Sequence, residues 1–339
     1  MVTPTRGRVV YAGFATARHS GGVHVLTQHV SLLRAAGTEA WLWVPDHRPG
    51  WIDADVPVLA GATTPIGAED LLVLPETPTV HGLDPAPGAR VVIFNQNHFY
   101  TYAAAPGRAA GLDFPGWGRP PGMWAVSRES RDVLREVLPG LDVDLVPNHV
   151  DGDLFTPRPA ERPRVSWFPR KRPREASLLR RLLEQDDRLA GVELVELLDA
   201  PRAVVADTLG GSTVFAALGH SESFGLPVAE ALAAGCLVVG YDGGGGRELF
   251  EAPGAWQVPE QRPLLLRDRV VDLVQRSAGL EAVRVANREW VLSRYSAAGT
   301  AAALDAAVTK AFTRPGSAAV ATHPVAWLDS LGPNFTAFA

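Results

Sequence analysis

Two glutamates and a run of glycines stand close together in the second half of the chain. Glu222 and Glu230 are eight positions apart, and four glycines follow at 243–246. Carboxylates accept hydrogen bonds from hydroxyl groups, and a helix start with bare N–H groups beside it accommodates an anion. An anion next to two carboxylates indicates a ligand that carries both phosphate and hydroxyl groups. A nucleotide sugar is the ligand that this combination predicts.

The elements around these residues form a strand–helix–strand pattern. The apolar runs 213–218 and 236–240 predict buried strands, and 226–234 between them predicts a helix. Pro227 suits the first turn of that helix and Gly235 suits its end. A parallel crossover brings both strand ends to one edge of the sheet, which is the edge where ligands bind in open α/β sheets.

This pattern predicts where the polar side chains converge. We expect Glu222 in the loop leaving the first strand and the glycines in the loop leaving the second. Glu230 is one turn into the helix, and helical side chains tilt toward the N-terminus, which brings its carboxylate back toward the same edge.

The segment from Glu222 to Glu230, ESFGLPVAE, resembles the E-x7-E signature of retaining family-4 glycosyltransferases of GT-B fold. The glycines with Glu248 resemble the GG-x-x-E segment of that family. The resemblance implies an α/β fold of two Rossmann-like domains whose parallel sheets face a central cleft. It also implies that Glu222 lies near the transferred sugar and that the donor is bound by further residues of this stretch, which are Phe224, Gly225, Leu226, Glu230, Gly244 and Gly245. The alternative is a core helix that begins at a proline and carries two unrelated glutamates.

Three consecutive cations, Arg170, Lys171 and Arg172, follow the predicted strand 164–168. The family places an arginine and a lysine in this turn, about half a dozen residues apart, to grip the donor diphosphate. Because the spacing is compressed here, which of the three side chains plays which part is left open. The alternative is a solvated charged surface.

The chain opens with a predicted strand at 8–13, a loop through Gly21 and Gly22, and a helix at 23–36. It has neither a G-x-G-x-x-G turn nor a P-loop motif, so dinucleotide and P-loop classes lose their main support. The opening resembles the N-terminal domain of the same family, in which a GG loop approaches the donor phosphates. A simple turn is the alternative.

A polar cluster follows the predicted strand 91–94, and Asn95, Asn97 and His98 belong to it. Many members of the family carry a histidine just after this strand, near the donor sugar. By simple alignment Asn95 holds that position, and His98 falls three residues later. We expect a site role for at least one of the three, against the alternative of ordinary loop capping.

Length and composition predict two domains. The 339 residues suffice for two domains of about 150 residues each. Residues 144–157 resemble the family's PNGVD segment, with His149 in place of the glycine, and a proline-rich stretch follows. We predict an N-terminal Rossmann-like, acceptor-side domain at 1–150, a linker at 151–163, a C-terminal Rossmann-like donor domain at 164–310 and a tail at 311–339.

The charge balance and the cysteine count exclude several classes. A net charge of −5 and a pI near 6.0 argue against nucleic acid as a partner. The single cysteine, Cys236, excludes an internal disulfide and a cysteine-based zinc site. No apolar run reaches the length of a membrane span and no signal peptide is evident, so we expect a cytoplasmic protein, with peripheral membrane contact left open.

The predicted function is transfer of a sugar from a nucleoside diphosphate sugar to an acceptor hydroxyl, with retention as the resemblance implies. We expect no metal and no cofactor, with a donor of UDP or GDP type as co-substrate. The alternatives are a sugar-nucleotide epimerase or pseudo-sugar transferase of the same fold, and a non-catalytic nucleotide-sugar-binding module. The identity of the acceptor stays open. The first domain is rich in aromatic residues that suit a sugar or a flat natural product, although core packing explains most of them equally well. These residues are Trp41, Trp43, Trp51, Phe99, Tyr100, Tyr102, Trp117 and Trp124.

Overall fold

The structure is a computed structural model that describes residues 7–13, 20–44, 47–61, 64–76, 86, 88–101, 120–316 and 320–322. The chain divides into two compact units: a first unit of residues 1–147 with 301–339, and a second of residues 148–300. The domain boundaries expected from the sequence stay a prediction. No helix within the described ranges combines the length and the apolar character needed to cross a membrane.

The first unit is built on a parallel sheet whose strands run in the order β3-β2-β1-β5-β6-β7-β8. The order reverses between β1 and β5, so the carboxyl ends of these strands form a topological switch point. The elements of this part of the chain are β1 (Val9–Ala12), α1 (Gly21–Ala35), β2 (Ala40–Val44), β3 (Val58–Ala60), β4 (Thr64–Ile66), β5 (Leu71–Pro75), β6 (Arg90–Asn95), β7 (Gly122–Ala125), α2 (Arg128–Val137) and β8 (Val143–Leu145).

The second unit carries a parallel sheet of five strands in the order β10-β9-β11-β12-β13. Its switch point lies between β9 and β11. The elements here are β9 (Arg164–Trp167), α3 (Pro173–Glu184), β10 (Glu193–Glu196), α4 (Arg202–Gly210), β11 (Val214–Glu222), α5 (Leu226–Ala233), β12 (Leu237–Gly244), β13 (Ala255–Gln257), α6 (Pro263–Arg276) and α7 (Glu281–Arg294). Helix α8 (Ala297–Phe312) and strand β14 (Val320–Thr322) follow, and β14 pairs antiparallel with β4.

Helix α5 is short and apolar on most of its surface because it is a crossover packed inside the second unit. Val228, Ala231 and Leu232 are buried. Pro227 lies in its first turn, and Gly235 follows its end with a φ of +76°. A left-handed residue after the last turn ends a helix, and glycine adopts that conformation without steric cost. The predicted strand–helix–strand pattern is therefore confirmed.

Two parallel sheets with helices were predicted, and the structure confirms them. Three helices, α6, α7 and α8, occupy most of residues 260–312. Three details were wrong. Gly243 and Gly244 are the last two residues of β12 rather than part of the loop that follows it. Glu222 is the last residue of β11 rather than part of a loop, because the strand resumes pairing after an irregularity that begins at Gly219. Gly21 and Gly22 are the first two residues of α1 rather than a loop before it.

Candidate ligand site

An ion pair lies at the switch point of the second unit. Lys171, in the turn after β9, places its Nζ 2.8 Å from Oε2 of Glu222, at the end of β11. The side chains are 26% and 19% exposed, so a ligand in solvent reaches both. Because partly exposed ion pairs contribute little net stability, either partner exchanges for a ligand group at small cost.

The other two cations of this turn differ from Lys171. Arg172 is held on several sides: its Nε donates to the carbonyl of Gly219 at 2.8 Å, and ion pairs of 3.1 and 2.6 Å join it to Glu175 and Glu260. Arg170 is exposed and forms no ion pair with any residue in the described part of the chain. The structure therefore leaves Lys171 and Arg170 reachable, while Arg172 fastens the turn to β11.

The glycines at the end of β12 and directly after it allow a close approach of two strand ends. Gly245 donates its N–H to the carbonyl of Glu222 at 2.7 Å, and Gly244 donates to Oδ1 of Asp242 at 2.9 Å. A Cβ on Gly245 would lie 2.4 Å from that carbonyl oxygen of Glu222, which no side chain tolerates. These glycines support the backbone of Glu222; donor binding by Gly244 and Gly245 stays a prediction.

The turn between β11 and α5 is shaped by Phe224 and Gly225. The Phe224 side chain is 3% exposed and packs edge-on against Tyr295, with 5.0 Å between ring centroids. Gly225 follows with φ 89° and ψ 54°, and α5 begins at Leu226. Within the described part of the chain, the N–H groups of Gly225 and Leu226 donate to no backbone carbonyl outside the helix. Like the first N–H groups of any helix, they are available to an acceptor on a ligand.

Glu230, one turn into α5, is paired with Arg202, the first residue of α4. Arg202 Nη1 donates to Glu230 Oε1 at 3.2 Å, and the glutamate side chain is 13% exposed. Burial raises the pKa of Glu230 to about 7, although Arg202 opposes that shift. The sequence carried no signal for Arg202, because its contact with Glu230 depends on how α4 packs beside α5.

In the first unit, the predicted polar cluster begins at Asn95, the last residue of β6, and is largely bonded within the protein. Asn95 is fully buried and its Nδ2 donates to Thr101 Oγ1 at 2.7 Å. Asn97 caps the short turn that follows, since its Oδ1 accepts from the N–H of Phe99 at 3.1 Å. His98 stacks on Phe99 with 4.2 Å between centroids, and burial lowers the pKa of His98. Capping is thus observed for Asn97, and a site role for the cluster stays a prediction.

Sequence reasoning missed Glu76, which lies directly after β5 at the same edge as Asn95. Its Oε2 accepts the N–H of Gln96 at 3.2 Å, and burial raises the pKa of Glu76 to about 7. The Gln96 amide in turn lies 3.6 Å from where a Cβ of Gly22 would be, beside the start of α1. A polar residue directly after a buried strand was the signal that singled out Asn95, and the same signal applies to Glu76.

The aromatic residues of the first unit divide into core and surface. Trp43 and Trp124 are each 1% exposed and belong to the core, whereas the Phe99 side chain is 46% exposed. Tyr102 and Trp117 lie outside the described residues. Among the residues that are described, no three His, Cys, Asp or Glu side chains form a group that could hold a metal ion.

One part of the chain matches a known protein family. Residues 195–275, from β10 to α6, match the family model described as "Glycosyl transferases group 1". This segment contains Glu222, Glu230 and Arg202 and covers less than half of the chain. No curated protein matches the sequence.

Solved structures resemble the whole fold at low sequence identity. A sucrose-phosphate synthase from Thermosynechococcus elongatus has a TM-score of 0.66 and 15% identity, covering 91% of this chain and 100% of that one. TarM from S. aureus, in a complex that includes UDP, has a TM-score of 0.65 and 8% identity, with 91% and 100% covered. Anabaena HepE in complex with UDP-glucose has a TM-score of 0.59 and 14% identity, with 89% and 99% covered. These similarities establish the GT-B fold.

Proposed function

We propose that this protein is a glycosyltransferase that moves a sugar from a nucleoside diphosphate sugar to an acceptor hydroxyl. The observation that carries the proposal is the Lys171–Glu222 ion pair at the switch point, beside the start of α5. This arrangement offers one cation for a phosphate and one carboxylate for hydroxyl groups. The family match over residues 195–275 and the GT-B fold support the same conclusion.

The chemistry asks the protein to stabilise a leaving group. As the bond between the sugar C1 and the diphosphate oxygen breaks, negative charge develops on the diphosphate and positive charge on the sugar ring. Lys171 and Arg170, with the N–H groups at the α5 start, would stabilise the diphosphate. When Lys171 moves to the phosphate, Glu222 loses its partner and its carboxylate accepts hydrogen bonds from the sugar hydroxyls.

The proposed roles of the two glutamates differ. Glu230 accepts from the ribose hydroxyls once the phosphates are at the start of α5, and Glu222 serves the transferred sugar. We do not assign them the roles of a hydrolase acid and base, since each has a binding role. Retention of configuration and independence from metal are part of the proposal and rest on the family resemblance.

We propose the first unit as the acceptor side. Asn95, Asn97 and His98 remain candidates for contact with the sugar, and Gly21 and Gly22 for contact with phosphate. The start of α1 supplies N–H groups of the kind that bind anions. The buried Oδ1 of Asn95 has no hydrogen-bond partner in the described part of the chain, which supports a role for this residue beyond packing.

The test is turnover. Purified protein is screened for thermal stabilisation by UDP- and GDP-sugars, and the donors that stabilise it are incubated with a library of sugar and natural-product acceptors. We expect release of the nucleoside diphosphate together with a glycosylated product by mass spectrometry, and loss of both in Glu222→Gln. Epimerised donor without transfer would support the epimerase alternative. Binding of a donor without any release would support the binding module.

A further inference from the structure

The guanidinium of Arg202 is held from two sides. One nitrogen, Nη1, donates to Oε1 of Glu230 at 3.2 Å. The guanidinium carbon also lies 5.0 Å from the ring centroid of Phe155, whose side chain is fully buried. Stacking on a fixed ring restricts the plane of a guanidinium, and a restricted fork loses less freedom when it pairs with a carboxylate.

Few charges act on Glu230 from the elements packed around it. Arg202 faces it from α4, and Asp151 acts on it from the segment that precedes β9. His149 lies near both Asp151 and Arg202. On α7, Arg288 donates instead to backbone carbonyls, which are those of Gly152, Phe155 and Ala233.

The balance of these effects depends on Arg202. Burial, the largest effect, and Asp151 both favour the neutral form of Glu230, and even with Arg202 in place its pKa is raised to about 7. Arg202 is the charge that opposes them. An opposite charge within a few ångströms shifts a carboxyl pKa by roughly one to three units. Without Arg202, the carboxyl group would therefore be mostly protonated at neutral pH.

We propose that Arg202 is a positioning residue that holds Glu230 in place and increases the fraction of it that is negatively charged near neutral pH, so that its carboxylate accepts hydrogen bonds from the ribose of a nucleoside diphosphate. This inference rests on the proposed function. An ionised carboxylate offers acceptors only and forms charge-assisted hydrogen bonds with hydroxyl groups, whereas a protonated one must donate through one of its oxygens. Arg202 acts through Glu230 and needs no contact with the donor.

A purely structural role for Arg202 makes a different prediction. If Arg202 only ties α4 to α5, its loss would weaken ligand binding by the same factor at every pH. If it maintains the charge of Glu230, its loss matters most near neutral pH. The effect then shrinks as alkaline pH ionises the carboxyl group without help.

The experiment measures UDP binding by calorimetry between pH 5.5 and 9. We expect Arg202→Gln to bind about fivefold more weakly than wild type at pH 7, because a pKa one unit higher cuts the ionised fraction from about a half to about a tenth. The difference in UDP affinity between Arg202→Gln and wild type should narrow toward pH 9. Arg202→Lys should recover most of the wild-type affinity. Arg158→Gln is the control. Arg158 forms a surface ion pair of 3.0 Å with Asp207 of α4, the helix that also carries Arg202, and its loss should leave UDP affinity unchanged at every pH. The β-phosphate of UDP titrates equally in all variants and cancels at each pH.

A second measurement needs no ligand. Carboxyl ¹³C NMR, with the Glu230 signal assigned by its loss in Glu230→Gln, should show a higher titration midpoint in Arg202→Gln than in wild type. Arg202→Met, which keeps an unbranched stem against Phe155, takes its place if Arg202→Gln does not fold. Equal midpoints, or a pH-independent loss of UDP binding, would overturn the inference and leave the proposed function intact. A wild type that binds neither UDP nor GDP would overturn the proposed function and this role with it.

Discussion

The two units place polar residues at the same kind of sheet edge but treat them differently. In the first unit, Glu76 and Asn95 are buried, and both hydrogen-bond to protein groups at the same sheet edge, the N–H of Gln96 and the hydroxyl of Thr101. In the second unit, Glu222 and Glu230 are each paired with a cation from a different element and keep some exposure. A buried hydrogen bond to backbone fixes a loop, whereas a partly exposed ion pair exchanges with a charged ligand. We therefore expect the side chains of the first edge mainly to fix its shape, and those of the second to bind the charged groups of a ligand.

The largest expected effect is that of Lys171→Ala on nucleoside diphosphate binding. The variant removes one of the two reachable cations and leaves Glu222 unpaired beside the proposed phosphate position, so it adds repulsion to the lost attraction. We expect a loss of about 1.5–3 kcal/mol, or roughly 10- to 150-fold in Kd for UDP or GDP by calorimetry. Arg172→Lys, by contrast, is expected mainly to lower the free energy of unfolding, because it disturbs the contacts of Arg172 with Gly219 and Glu260. Unchanged affinity in Lys171→Ala would move the diphosphate away from this turn.

The two glutamates of the second edge should separate in the same assay. Glu230→Ala should weaken the binding of free nucleoside diphosphate by about 1.5–3 kcal/mol, since it removes the proposed charge-assisted hydrogen bonds to the ribose. Glu222→Ala should leave that affinity unchanged or tighten it, because Lys171 no longer has to leave a carboxylate, while turnover is lost. Equal losses in both variants, or a loss confined to Glu222→Ala, would contradict these roles.

Glu76→Gln tests the first edge through the pH dependence of stability. The pKa of Glu76 is raised in the folded state to about 7, so its contribution to stability is complete below the unfolded pKa and is lost as pH rises through 7. Glutamine keeps an acceptor for the Gln96 N–H but does not titrate. Relative to wild type, Glu76→Gln should therefore gain about 1–3 kcal/mol in free energy of unfolding between pH 5 and pH 8. If this difference in free energy of unfolding between Glu76→Gln and wild type stays constant across the range, the pKa of Glu76 is not raised in the folded state.

Asn97→Ala should have the smallest effect. It removes the acceptor for the Phe99 N–H, and loss of a cap of this kind costs about 1 kcal/mol. The midpoint of urea unfolding should fall, with nucleoside diphosphate affinity unchanged. A tenfold loss of affinity instead would show that the first edge also carries ligand charge, and the contrast between the edges would not hold.

Much of the fold could be predicted from local signals. Pro227 and Gly235 placed α5 to within one residue at its end, and the apolar runs placed the central strands. The last residues of β11 could not be predicted in this way. His220, Ser221 and Glu222 are polar; the first two form an irregularity, and Glu222 then resumes the backbone pairing opposite Gly244 at the glycine-rich end of β12.

The candidate site residues could be predicted from the sequence where they belong to a motif. They could not be predicted where their contacts depend on packing. The spacing of Glu222 and Glu230 pointed to both carboxylates, but nothing local showed that Lys171 pairs with Glu222 or that Arg202 pairs with Glu230. Arg202 is 28 positions from Glu230, and Arg172 is 47 positions from the Gly219 carbonyl that it contacts. Contacts of this kind depend on how helices and turns meet in space. The sequence predicted three similar cations at 170–172, whereas the structure shows that each of the three lies in a different environment.

The Lys171–Glu222 pair has a practical consequence, because lysine is so rare in this chain. The sequence contains two lysines, and the other, Lys310, lies between Asp142 and Asp144 in the first unit, 2.5 and 2.6 Å from their carboxylates. Amine-reactive reagents therefore find two side chains, one at the proposed donor site and one away from it. The acylation rate of Lys171, read against that of Lys310 by peptide mass spectrometry, becomes an internal gauge of donor occupancy. The protein thus carries its own reporter, with no label introduced.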